Sequence, residues 1–465
     1  MILLFINSLK LRRRQKQKRR LNKIIKYKKV LNMQQKYHII TIGCQMNVAD
    51  SSRLAGFLDS NNYKQTDDKG KANLIILNTC GIRQSAENRV YSLVHTMRKQ
   101  YKKAKIIITG CLSQRVDVQK RLAGKVDFFM PINVIPDMMK LLENRDFKSK
   151  LSLDEVRLKD GEQYLNITPK NPSFFSALVP IGNGCNNFCS YCVVPYARGR
   201  EVYRPASSII KEVRDLVKNG YKEITLIAQN VNSYKSKNYD FAKLLAQTAK
   251  IKGDFWLRFS TSHPKDVSLD LIKVLGEEKK ICPHFHLAVQ SGDDDILRAM
   301  NRGYTAKHFI QLVDKIRAAR PGISITSDVI VGFPGEKRRH FENTVKLFKT
   351  VKFDLVYVSL YSPRPLTASS FMSDDVSMEE KKRRAKELEI ILAKTALSNN
   401  QFYIGKTEKV LIEGVNKAGS YWGRNAAHKI VDILSKEKAN SKLIGSFVAV
   451  KINKVSAFRL SGDLL

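Results

Sequence analysis

Three apolar runs near the front of the chain each end on a cysteine: Tyr37-His-Ile-Ile-Thr-Ile-Gly-Cys44, Asn73-Leu-Ile-Ile-Leu-Asn-Thr-Cys80 and Lys105-Ile-Ile-Ile-Thr-Gly-Cys111. Continuous β-branched runs of this length, without polar alternation, predict strands buried on both faces, as in a parallel sheet. The intervals between them leave room for a crossover helix each, so an α/β domain is expected over residues 35–150. In an open parallel sheet the carboxyl ends of the strands gather on one edge, where ligands bind. Cys44, Cys80 and Cys111 can therefore converge although they are distant in sequence; three unrelated buried thiols are the competing reading.

A second apolar series follows the Pro- and Asn-containing stretch at 168–172, with candidate strands at 177–181, 223–228, 255–260, 284–289, 323–331 and 354–361. Helix-period segments lie between them, at about 207–219, 240–251, 269–279, 305–319 and 338–350. Six β/α units predict a curved, partly closed parallel barrel. A charged helix at 377–400 opens on Ser377 with Glu380 three residues on, in the manner of a capping box, and completes a domain over 171–400. Short Gly-punctuated strands at 408–413, 428–433, 447–452 and 457–460 then predict a small β-barrel over 401–465. The fold class is thus α/β with a small terminal β-barrel.

Charge changes the picture of the partner. Lys and Arg number 82 against 43 Asp and Glu, a formal +39 that favours a polyanion, with a merely solvated surface as the alternative. Residues 1–34 form a basic extension, read as disordered or as a mis-assigned start with Met33 as the alternative. Its apolar start precedes its charge, the reverse of an export signal. No apolar run reaches the ~18 residues of a membrane span. The seven cysteines then suggest metal ligands or catalytic thiols in a reducing cytoplasm rather than a disulfide framework.

The strongest chemical signal is Gly184-Cys-Asn-Asn-Phe-Cys-Ser-Tyr-Cys192, a C-x3-C-x2-C spacing just after the first barrel strand. Three thiolates can hold three irons of a [4Fe–4S] cubane and leave the fourth iron open to a ligand. A zinc site would want a fourth ligand that the flanking sequence does not offer at close spacing. Zinc and a redox dithiol remain the alternatives.

These residues, with Tyr191 directly before the last cysteine, resemble the radical S-adenosylmethionine superfamily. The resemblance implies that the open iron chelates the methionine part of S-adenosylmethionine and that reduction yields a 5′-deoxyadenosyl radical. More narrowly, the chain resembles the methylthiotransferases from about Lys36 to its end. The matching stretches are Gly43-Cys-Gln-Met-Asn47, Leu77-Asn-Thr-Cys-Gly-Ile-Arg83, Gly110-Cys111, Cys192-Val-Val-Pro-Tyr-Ala-Arg-Gly199, Ser260-Thr-Ser-His-Pro264, Gln290-Ser-Gly292 and Asp328-Val-Ile-Val-Gly-Phe-Pro-Gly-Glu336. The first two look most like the tRNA-2-methylthio-N6-dimethylallyladenosine synthase group. Relatives that act on threonylcarbamoyl-adenosine or on a ribosomal-protein aspartate are the alternative, and an RNA-binding iron–sulfur protein without catalysis is the third reading.

The resemblance implies two [4Fe–4S] clusters as cofactors besides S-adenosylmethionine: a radical-generating one on Cys185, Cys189 and Cys192, and a sulfur-bearing one on Cys44, Cys80 and Cys111. It implies that Tyr191, Arg198, Gln229, Ser260, Gln290, Val331 and Gly332 line the cofactor pocket. Residues 401–465 resemble the TRAM module, with Lys406, Lys409, Arg424, Lys429, Lys442 and Lys451 as phosphate contacts and Tyr421 and Trp422 as stacking surfaces. The expected partners are a tRNA anticodon stem-loop and a reducing electron donor, for a cytoplasmic monomer independent of membranes. Leu366, Ala368, Ala228 and Ala288 depart from the family pattern, the first two standing where Gly and Pro are usual. Their effect falls on the shape of the loop near the substrate.

Overall fold

The computed structural model describes residues 35–81, 84–143, 162–435 and 438–465. The basic extension, with Met33, lies outside the described residues, as do Ile82 and Arg83 of the second motif. Five parallel strands form the first sheet in the order Tyr63–Gln65, Gln35–Ile42, Leu74–Thr79, Lys105–Gly110 and Phe128–Phe129. The three central ones are the cysteine-ending runs. The two at the edges are three and two residues long, too short to show a period in the sequence. Helices Gln45–Ser60 and Gln84–Gln100 are the crossovers, and the apolar faces of the sheet pack into a core on either side.

The middle of the chain alternates strands and helices as the pattern predicts. Strands Trp256–Phe259, Glu223–Ile227 and Ser176–Pro180 form one parallel sheet, and His284–His286, Ser324–Val331 and Leu355–Leu360 another. Bridges Leu257↔Ile281 and Ser262↔Leu287 join the two into one curved wall. Its interior buries Phe259, Phe285, Phe309, Phe341, Phe348 and Phe353. The strand that opens at His284 ends at His286, three residues before the sequence pattern suggests. Beyond it the backbone turns: Ser327 Oγ accepts from Val289 N at 3.0 Å, and Gln290 has φ 71°.

Helix Met378–Gln401 is capped by Ser377, whose hydroxyl accepts from Glu380 N at 3.2 Å. The carboxylate of Glu380 does not complete the box; it turns to Arg383 and Arg384, which offer charge-assisted bonds that a single backbone N–H does not. The last domain is a closed barrel of five strands, ordered Thr407–Val415, Tyr421–Asn425, Ile430–Leu434, Arg459–Leu464 and Phe447–Val455. The sequence pattern misses Tyr421–Asn425, because Gly423, Arg424 and Asn425 interrupt its apolar alternation.

This small barrel docks on the central one through buried polar contacts. Arg258 donates to Ala426 O at 2.8 Å and to Asn425 O at 2.9 Å, Lys429 pairs with Asp354 at 2.6 Å, and the rings of Trp256 and Phe447 lie 4.7 Å apart. The expectation for the RNA surface changes accordingly. Lys429 is buried in the domain contact, Arg424 is tied to Glu413 at 2.5 Å, and Tyr421 is buried. Lys406, Lys442 and Lys451 remain exposed.

Candidate cluster and cofactor site

The parallel register brings the first three cysteines to one sheet edge. Ile42 pairs with Thr79 and Thr79 with Gly110, so Cys44, Cys80 and Cys111 all follow the ends of aligned strands. Cys111 N donates to Thr79 O at 2.8 Å. A Cβ placed on Gly43 would stand 2.9 Å from Cys80 Cβ, and one on Gly81 would stand 3.2 Å from Cys111 Cβ. The edge is stiffened by two asparagines quoted above only as parts of motifs. Asn47 accepts from the Cys44 thiol at 3.3 Å and donates to Asn78 Oδ1 at 3.0 Å and Thr79 O at 3.1 Å, and Asn78 donates back to Asn47 O at 2.8 Å. Both are fully buried. A closed amide network of this kind fixes the loop that carries Cys44.

Cys185, Cys189 and Cys192 share one loop, laced to its surroundings. Cys185 N donates to Gly199 O at 3.2 Å, Cys192 N to Cys189 O at 2.9 Å, and Ser190 N to Met300 O at 3.1 Å. Gly184, at φ 85°, allows the entry turn, where a Cβ would lie 2.1 Å from Arg200 O. Gln229 Oε1 accepts from Gly184 N at 2.7 Å, so this residue braces the loop. Arg302 donates to Cys189 Sγ at 3.3 Å, to Ala288 O at 2.6 Å and to Tyr304 OH at 2.9 Å. Nothing in the local pattern Asn301-Arg302-Gly303 signals that role; only the fold brings it to the cysteine.

Burial pushes the Cys185 thiol up to about 11 and the Cys192 thiol higher still. Both are therefore protonated without a metal, and iron binding must release those protons. The donor sets fit iron–sulfur clusters better than a mononuclear metal. Among the described residues neither triad brings its three sulfurs within 4.8 Å of one another. A tetrahedral zinc with ~2.3 Å bonds would set them about 3.8 Å apart.

The other nominated residues divide between two places. Tyr191 and Ile330 pack with Ile296, Met300, Phe333 and Tyr361 in one apolar cluster directly behind the cysteine loop. Val331 is buried at the end of its strand, and Gly332 lies against Lys381, whose Cγ would be 2.2 Å from a Cβ there. Gln290 is buried and bonds the same strand, its N donating to Asp328 O at 2.8 Å and its O accepting from Ile330 N at 3.0 Å. Ser260 instead reaches the N-terminal domain, where its hydroxyl donates to Gln45 Oε1 at 3.3 Å. Arg198 does the same: its guanidinium is buried against Asp50 at 2.7 Å and Asn183 Oδ1 at 3.0 Å.

His263, from the Ser260–Pro264 motif, is also buried. Its Nδ1 accepts from Lys265 N at 3.2 Å, which leaves the proton on Nε2, an atom with no protein partner. Burial, then Arg302 and Lys265, push its pKa down to about 2, so the ring is neutral at physiological pH.

The two triads stand at opposite ends of one short connection. The helix Val194–Arg198 begins two residues after Cys192 and ends on the arginine that meets Asp50, a span of about 7.5 Å at helical rise. Gln114, three residues past Cys111, donates to Ala197 O at 3.3 Å. The domains are further joined by Arg53, which pairs with Glu212 of the central domain at 3.3 Å, a carboxylate that Arg204 of that same domain also holds at 2.6 Å.

Family models match this arrangement in three blocks: the Radical SAM superfamily over 179–348, the uncharacterized protein family UPF0004 over 36–130, and the TRAM domain over 401–465. The fold agrees with two solved structures of TsrM from Kitasatospora setae, a radical S-adenosylmethionine methyltransferase. One has cobalamin and a [4Fe–4S] cluster bound and matches at TM-score 0.54, covering 73% of this chain and 77% of that one. The other, with tryptophan and a cofactor analogue, matches at 0.55 over 72% and 75%; both are 13% identical. The class is therefore a radical S-adenosylmethionine enzyme with an added α/β domain and a TRAM barrel.

Sequence likeness is narrower. The chain is 40% identical over 441 residues to the tRNA-2-methylthio-N(6)-dimethylallyladenosine synthase of Carboxydothermus hydrogenoformans, covering 92% of this chain and 99% of that protein. It is 39% identical to the synthase of Syntrophomonas wolfei and 38% to that of Geobacter sulfurreducens, each over 92% of this chain and 97% of the relative. The chain belongs to the family of tRNA-2-methylthio-N(6)-dimethylallyladenosine synthases.

Proposed function

We infer that this protein inserts a methylthio group at carbon 2 of N6-isopentenyladenosine, at position 37 beside the anticodon of tRNA. The observation that supports the reading is that the helix after Cys192 is tied, through Arg198 and Asp50, to the helix after Cys44, in a chain that resembles such synthases over nearly its whole length. Cys185, Cys189 and Cys192 would hold one [4Fe–4S] cluster and Cys44, Cys80 and Cys111 the other. When bound, the first supplies, with S-adenosylmethionine, a carbon-centred radical source, and the second supplies sulfur.

The chain's own residues position and exclude. Arg302 orients Cys189 through its thiol contact, and Gln229 holds the turn at Gly184. The apolar cluster of Tyr191, Ile330, Phe333 and Tyr361 forms a dry wall behind the loop, suited to reactive chemistry that water would intercept. The exposed Lys406, Lys442 and Lys451 offer the TRAM barrel a phosphate-binding face. An external reductant supplies electrons, and the enzyme works as a cytoplasmic monomer; among the described residues no helix is long and apolar enough to cross a membrane. The alternatives, a threonylcarbamoyl-adenosine or a ribosomal-protein aspartate as substrate, find no support among the relatives named above.

Mass spectrometry of tRNA nucleosides from cells with and without the protein tests the reading. Loss of 2-methylthio-N6-isopentenyladenosine with accumulation of N6-isopentenyladenosine is the expected result. An unchanged nucleoside profile would overturn it.

A further inference from the structure

Two arginines of the central domain cross to the sheet edge that carries Cys44, Cys80 and Cys111. Arg198 is 8% exposed, and its Nη2 lies 2.7 Å from Asp50 on the helix that starts directly after Cys44. Its neighbour Ala197 is held by Gln114 from the loop after Cys111. Arg364 is 6% exposed; its Nη1 donates to Gln84 Oε1 at 2.8 Å and stands 3.7 Å from Glu87, both on the helix that starts four residues after Cys80. The fields agree with these positions. Burial opposes the charge of Arg198, but Asp50, then Cys111, Tyr164 and Cys44, favour it and raise its pKa. Burial lowers that of Arg364, with Glu87 and Cys80 working the other way. A guanidinium stays charged at neutral pH in either case.

The radical-generating triad differs. Its arginine, Arg302, comes from its own domain and touches a cysteine directly. At the other triad two of the nearby guanidinium groups, Arg198 and Arg364, come from a different domain from the one that supplies the thiols, and they meet Asp50 and Glu87 of that domain. Net charge and buried hydrogen bonds set the potential of an iron–sulfur cluster, and one charge in a site of low effective dielectric is worth a large factor in an equilibrium.

We propose that Arg198 and Arg364 are positioning residues that hold up the reduction potential of the second cluster, so that this cluster reaches its working potential only when the central domain is docked against it. The inference rests on the reading of Cys44, Cys80 and Cys111 as ligands of a [4Fe–4S] cluster. It concerns a property that a purely structural contact would leave unchanged.

The test uses the full chain carrying Cys185→Ala, Cys189→Ala and Cys192→Ala, reconstituted anaerobically with iron and sulfide, so that the remaining cluster is read alone. The protein is poised at a series of potentials, and the reduced cluster is quantified by electron paramagnetic resonance. Arg364→Gln is safe for folding, because Glu87 keeps Arg115 as its partner at 2.6 Å. It should lower the reduced-to-oxidised ratio at a fixed potential by on the order of tenfold, with iron content unchanged, while Arg364→Lys keeps the ratio near native. Arg198→Gln should lower the ratio by a smaller factor, because Asp50 already offsets part of the Arg198 charge, with unchanged iron content showing that the fold holds. A native ratio in both glutamine variants would overturn the proposal, and a change in one only would remove the other arginine from it. Absence of any cluster signal with the native arginines would instead sink the ligand reading on which it rests.

Discussion

The two cysteine triads present the same group, a thiol, in opposite ways. Cys185, Cys189 and Cys192 lie within eight residues on one loop, so their spacing is set by the chain itself, although the loop is braced from afar by Gln229, Met300 and Arg302. Cys44, Cys80 and Cys111 are spread over sixty-eight residues and meet only because three strands are in parallel register. Their loops are then fixed by a buried amide pair, Asn47 and Asn78. The lesson concerns where specificity is stored. A contiguous motif survives much change in the surrounding fold, whereas a strand-end triad depends on the whole sheet and, here, on charges from a neighbouring domain.

The largest effect expected on this contrast comes from replacing Cys185, Cys189 and Cys192 by Ala. Iron in reconstituted protein should fall from on the order of eight atoms to about four, and both cofactor cleavage and product formation should vanish. Chromatographic assay of 5′-deoxyadenosine reads the outcome, and continued cleavage would refute the division. Replacing Cys44, Cys80 and Cys111 by Ala should also halve the iron, but here 5′-deoxyadenosine still forms and only the methylthio product is lost. Normal product from that variant would remove the sulfur-bearing role from the sheet edge.

Acid should separate the two regions less completely. His263 has its pKa held at about 2 by burial, then by Arg302 and Lys265, against about 6.5 in an unfolded chain. Between those values the unfolded state binds a proton that the folded state refuses, so its contribution to stability is present above pH 6.5 and is lost progressively as pH falls. His284 and His428, stacked 4.6 Å apart between the two barrels, are lowered by burial and add in the same direction. Hydrogen-exchange protection factors, each taken against the intrinsic rate at its pH, should therefore fall more between pH 7.5 and 5.5 over 260–304 than over 35–130. An equal loss of protection in both would show that these histidines do not govern the acid response.

The smallest effect lies on the loop that touches both regions, where Arg364 meets Gln84 and Ser369 N donates to Ser190 O at 2.8 Å. Leu366 on this loop has φ 73°, a left-handed conformation that costs a side chain about 1–2 kcal/mol. Leu366→Gly should raise the thermal midpoint by about 2 °C, from about 1 kcal/mol of relieved strain. A lowered midpoint would show that the leucine contributes packing that outweighs its strain.

Much of this was legible in the residues. The three strands ending on cysteines, the alternation that builds the central wall and the spacing of Cys185, Cys189 and Cys192 all follow from local pattern, because apolar period and ligand spacing act over a few residues. The short strands Tyr63–Gln65 and Phe128–Phe129 carried too few residues for a period, and Tyr421–Asn425 was hidden by Gly423 and two polar neighbours. Arg302 gave no signal at all, since a single arginine in a turn says nothing of what it will face. Arg198 and Ser260 were grouped by motif with the cofactor pocket, but a motif does not say which way a side chain leaves the backbone, and these two contact the N-terminal domain.

The sequence by itself determined which chemistry is available: six thiols in two sets, strands to carry them, a basic chain and the family to which it belongs. The tertiary structure alone decided how the sets are placed and charged. It put Arg198 and Arg364 from one domain against the helices that follow Cys44 and Cys80 of another, and it buried Lys429 and Tyr421 in contacts where exposed RNA-binding groups were expected. The reason is one of range. Strand and helix periods, turn residues and ligand spacings are satisfied within a short segment, whereas the field at a buried site is the sum over groups such as Arg364 and Gln84, 280 residues apart in sequence, that meet only when the domains close.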